Sequence, residues 1–145
     1  MKKRYGAVLG IVVVLAGLFT AQSASAAGVW KPYPGGFSIP SNWSCGSTVN
    51  GPKLSAQTCV VRSGSYVQSA TIVRNRTSSL VTSQVSATLI DGDSPAPATT
   101  ANCTASGVGA MSVSVCFSPT VKVTGVVASA ANVAGIPLGL SSGYH

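Results

Sequence analysis

The sequence predicts an all-β protein: a small antiparallel β-sandwich or partly open barrel, stapled by two disulfides. Three observations predict it. Residues 81–89 and 111–117 alternate apolar and polar side chains, the period of a strand with one buried and one wet face. Clusters of Gly, Pro and Asp punctuate the chain between such stretches. Cys45, Cys59, Cys103 and Cys116 form an even set, which in a small exported domain reads as two bridges.

Residues 1–27 have the three-part form of a secretory signal peptide. Lys2, Lys3 and Arg4 precede an apolar stretch over 7–19, and Ala24, Ser25, Ala26 and Ala27 supply small residues for cleavage. The stretch is shorter than the roughly 20 residues of a membrane span. Cleavage after Ala26 or Ala27 both fit, and Ala27 is taken here. The segment looks bacterial. The expected product is a secreted single β domain over 28–145, extracellular or associated with the cell wall, with no membrane span in its mature form.

Within that domain, residues 28–52 carry four prolines and five glycines and read as an extended arm with short turns. A β core follows over 53–134. Residues 53–62 and 66–74 flank Ser63-Gly64-Ser65 as a hairpin, which sets Arg62 opposite Tyr66 and Arg74 opposite Leu54. Asp91, Gly92, Pro95 and Pro97 mark a loop. Residues 120–124 alternate again, 125–133 read as a final strand, and 135–145 as a loose tail. Any immunoglobulin likeness holds only in the broad sense. Trp30 and Trp43 precede all four cysteines, so the antibody order of Cys, Trp and Cys is missing.

Sequence proximity favours Cys45–Cys59 and Cys103–Cys116 as the pairs. Cys116 alternates with Met111, Val113, Val115 and Phe117, which places its bridge away from their face, as a peripheral staple. Metal binding through the thiols fits poorly, since no C-x2-C spacing occurs and the only histidine is His145.

Composition narrows the function. The 145 residues include nine Lys plus Arg, no Glu, and only Asp91 and Asp93 as acids. After position 27, six basic and two acidic residues leave a charge of +4, and 31 of 118 positions are Ser or Thr. So sparse a set of acids, bases and nucleophile partners argues against an enzyme. The two Asp sit in a Gly/Pro-rich turn and suit neither buried-acid catalysis nor a calcium loop. No cofactor motif or metal site is expected, and the charge is too thin for nucleic acid. Asn42, Asn75 and Asn102 begin N-glycosylation sequons, relevant only in a eukaryotic route.

Two surfaces are candidates. Trp30, Tyr33, Phe37 and Trp43 concentrate aromatic rings in the arm, either to stack on glycan or protein, or to close the small core; packing is the favoured reading. Lys53, Arg74 and Arg76 gather positive charge at one end of the sheet, either as solvated turn residues or toward wall polymers or an acidic partner. The expected role is a non-enzymatic extracellular or cell-surface binding or structural module, meeting cell-wall glycan or another extracellular protein. The alternative is a secreted inhibitor, for example of proteases, presenting a loop over 91–102.

Overall fold

The computed structural model describes residues 26–141. The expected signal segment up to residue 25, and His145 with the last residues of the tail, lie outside the described residues. Twelve strands and no helix occupy the described chain. They are β1 (Ala26–Ala27), β2 (Val29–Tyr33), β3 (Trp43–Cys45), β4 (Val49–Asn50), β5 (Leu54–Ser63), β6 (Tyr66–Asn75), β7 (Val81–Asp91), β8 (Pro97–Val108), β9 (Val113–Phe117), β10 (Val121–Lys122), β11 (Val127–Val133) and β12 (Ile136–Leu138).

Two sheets result. The five-stranded sheet runs β1-β8-β7-β11-β12, and the seven-stranded sheet runs β2-β9-β6-β5-β3, with β4 on β5 and β10 on β6. All pairings are antiparallel except β1 on β8. Parallel β1 continues into Gly28, whose N–H donates to Asn102 O at 2.7 Å. A β-carbon there would lie 2.6 Å from Cys103 Sγ, so glycine is what lets the chain approach the bridge so closely.

The arm expected over 28–52 contributes three strands to the seven-stranded sheet. Pro32 sits in β2, the edge strand, where a missing N–H costs the least. The hairpin forms one residue out of the expected register. Ser63 pairs Tyr66, Arg62 pairs Val67, Leu54 pairs Asn75 and Ser55 pairs Arg74. The cause is a two-residue turn: Gly64, at φ 59°, takes the first central position, as a type II′ hairpin requires. The expected 91–102 loop shrinks to residues 92–96, because Pro97 already begins β8. The expected loose tail holds β12, and Ser141 is pinned to β11, its Oγ accepting the Ser129 N–H at 2.8 Å.

Each alternating strand sends one row of side chains between the sheets. Leu54, Ala56 and Val73 meet Val85, Ala87, Cys103, Val133 and Leu138 in one cluster. Val60 and Val67 meet Leu89, Val123 and Val127 in another. A buried hydroxyl seam adjoins them. Ser129 Oγ shares hydrogen bonds with Thr58 Oγ1 and Ser69 Oγ, both at 2.7 Å, and Thr58 also meets Thr71.

Both expected disulfides are present. The position of the second differs from expectation: Cys103 and Cys116 are fully buried among the inter-sheet residues and join β8 to β9. The alternation of β9 holds, but the face of Cys116, expected at the periphery, is buried between the sheets, and Met111, expected beside Val113 and Val115, is exposed. Val113 and Val115 are buried too, on the opposite side, because the outer face of this sheet carries an apolar cover of its own.

Candidate functional site

That cover is the aromatic arm. Strands β2 and β3 are opposite edges of the seven-stranded sheet, so residues 34–42 must cross its outer face. Phe37 packs there with Tyr33 and Trp43 over Cys59, Ala70, Ile72, Val113 and Val115. Ring centroids follow one another at 4.6 Å for Tyr33–Phe37, 5.3 Å for Phe37–Trp43 and 5.7 Å for Trp43–Phe117, distances at which tilted and edge-on rings attract. Trp30 leaves the group. It pairs with Cys116, turns toward the inter-sheet cluster and donates from Nε1 to Thr104 O at 2.8 Å. The four rings therefore serve two faces of one sheet, and all are at least partly buried.

The basic residues divide as well. Arg74 points to the outer face, where its Nη1 donates to Gln57 Oε1 at 2.8 Å. Partial burial lowers the Arg74 pKa from its usual value by desolvation. Lys53 and Arg76 stay together at the end of the hairpin, the Arg76 N–H donating to Lys53 O at 3.2 Å and Arg76 Nη2 to Gly51 O at 2.7 Å. Asp91 and Asp93 make a local turn in which Asp91 Oδ1 accepts the Asp93 N–H. Among the described residues, no three His, Cys, Asp or Glu side chains converge as a metal set.

A surface outside both candidates has the more definite shape. Between Ser83–Ser106 and Val85–Cys103 the β7–β8 ladder slips, so Gln84 faces two residues, Thr104 and Ala105, in a β-bulge. The bulge opens a groove of about 320 Å³ on the outer face of the five-stranded sheet. Val85 and Cys103 lie beneath it, and Gln84, Ser86, Asn102, Thr104 and Asn132 border it. Asn132 is oriented by its own turn, its Oδ1 accepting the Gly135 N–H at 2.8 Å.

A second cavity, bordered by Thr82, Ser83 and Ala105, adjoins the groove at Gln84. Ser83 Oγ is buried with no hydrogen-bond partner among the described residues. The border is made of amides and hydroxyls, which both donate and accept, and holds no charged side chain. The alternation of 81–89 was visible in the sequence, but a bulge that depends on where β8 slips against it was not.

Comparison with protein families, with characterised proteins and with solved structures finds no match.

Proposed function

We propose that the two sheets form an immunoglobulin-like sandwich in the broad sense, and that the chain works after export as a non-enzymatic binding module at the cell surface. Two disulfides suit an oxidising compartment. The observation that carries the binding reading is the groove at the β7–β8 bulge, bordered by side chains that donate and accept hydrogen bonds without charge. Such a border suits a neutral polyhydroxylated ligand, whose hydroxyls need both donors and acceptors. A charged ligand would lose solvation there without gaining a counter-charge. Cell-wall glycan is the ligand class proposed.

The test is co-sedimentation of the oxidised protein with insoluble wall polysaccharide. Binding that persists in high salt and is lost in Ser86→Tyr, whose ring fills the groove from an exposed position, is the expected result. Binding removed by salt, or unchanged in Ser86→Tyr, overturns it.

A further inference from the structure

Away from the groove, one end of the molecule combines exposed apolar side chains with positive charge. The loop between β6 and β7 and the loop between β8 and β9 meet there, the Met111 N–H donating to Thr77 O at 3.0 Å. Leu80 on the first loop is 66% exposed and Met111 on the second is 70% exposed. Buried Asn75 stiffens the first loop: its Nδ2 donates to Ser79 O and Val108 O, and its Oδ1 accepts from Thr77. The loop is thus held in place, with Leu80 resting over Gly107 and still largely exposed.

Met111 gives a second indication. Its φ of 51° is in the left-handed region, where Gly or Asn is far less strained than an unbranched apolar residue. A strained backbone carrying an exposed apolar side chain points toward a role for that side chain. At the same end an apolar cleft of about 260 Å³ lies between Leu54, Val81 and Ile136, and Lys53 borders it. Arg76 is bonded to Gly51, beside Ile136. The only two acidic side chains in the chain are at the far end of β7, Asp91 as its last residue and Asp93 just beyond, about 30 Å away at 3.3 Å per residue. That separation is several Debye lengths at physiological salt.

We propose that this end docks on an anionic lipid surface, with Leu80 and Met111 entering the headgroup layer and Lys53 and Arg76 meeting lipid phosphates. Charge complementarity selects an anionic partner, and the exposed apolar pair selects a bilayer over a hydrophilic polyanion. The surface is separate from the groove.

Co-sedimentation of the oxidised protein with phosphatidylcholine vesicles containing phosphatidylglycerol tests it. Binding is expected to these and not to phosphatidylcholine alone, and to weaken with salt. Lys53→Gln should cost about fivefold, the worth of one cation near such a surface; the Lys53 carbonyl that serves Arg76 stays in place. Leu80→Ser with Met111→Asn should cost about tenfold or more, and Asn suits the left-handed backbone, so loss of fold is not the cause. Ser86→Tyr should bind vesicles normally, which separates this surface from glycan binding. No vesicle binding, equal binding to neutral vesicles, or binding indifferent to the Leu80/Met111 pair overturns the proposal. Full competition by soluble polyphosphate with no effect of that pair would assign the end to a polyanion instead, and overturns it too.

Discussion

Cys103 and Cys116 are bonded across the two sheets, whereas Cys45 and Cys59 are bonded across neighbouring strands of one sheet. Their sequence separations, 13 and 14, make the chain-entropy contributions nearly equal, about 3 kcal/mol each. The difference lies in the native state. Replacing Cys103 and Cys116 by Ala removes sulfur from the fully buried inter-sheet cluster and leaves a cavity there. The pair Cys103→Ala/Cys116→Ala should cost about 3–5 kcal/mol, against about 2–3 kcal/mol for Cys45→Ala/Cys59→Ala. Guanidinium unfolding of the two double variants measures both. The reverse order would mean that the outer-face bridge is the stronger constraint.

The hydroxyl seam makes a second prediction. Ser129 Oγ is the meeting point of Thr58 and Ser69, and all three residues are fully buried. Ser129→Ala leaves both neighbours short of a partner in a dry interior, at a cost of about 1–3 kcal/mol. Replacing Thr58, Ser69 and Ser129 together by Val, Ala and Ala should cost less than the sum of the three single changes, because among the seam's hydroxyls only that of Thr71, which meets Thr58, is then left short of a partner. A thermal melt of the single and triple variants checks the ordering.

Phe37 is the middle ring of the strap, touching Tyr33 on one side and Trp43 on the other. Phe37→Ala should destabilise by about 2–3 kcal/mol, less than a fully buried Phe because the residue is only partly buried. It should also red-shift the emission of Trp43 and leave Trp30, on the other face, unchanged. Comparing Phe37→Ala in Trp30→Phe and Trp43→Phe backgrounds isolates each tryptophan; a shift confined to Trp30 would contradict the strap.

Asn75 begins a glycosylation sequon, yet it is 3% exposed and both ends of its amide are engaged. Expression in a glycosylating host should therefore leave Asn75 unmodified in folded protein, as peptide mass mapping can show. Asn75→Ala should cost about 2–3 kcal/mol through the stranded Ser79 and Val108 carbonyls and the freed loop. Asn75→Asp retains the acceptor oxygens and so should keep the bonds from Thr77 while losing those two donations.

How far the sequence reached follows from the range of each interaction. Strict alternation over 81–89 made most of β7 legible, since its buried face at Ser83, Val85, Ala87 and Leu89 follows from period alone, although Asp91, expected in the loop, is the strand's last residue. Sequence proximity made both cysteine pairs legible. For β9 the period is equally clear, yet the peripheral place expected for Cys116 is wrong, because two apolar faces back onto one strand. One is covered by the five-stranded sheet and the other by the strap.

By itself the sequence determined the all-β class, the cysteine pairs, the sparse charge and the main turns, each set by residues close together along the chain. Only the tertiary structure decided which face of the seven-stranded sheet took each tryptophan, where the Cys103–Cys116 bridge lay, and where β7 and β8 slipped to open the groove. It also brought Leu80, Met111 and Lys53 to one end. Those outcomes depend on pairing between segments far apart in sequence, and on which surface becomes available to cover an apolar row. Neither is written in a local period.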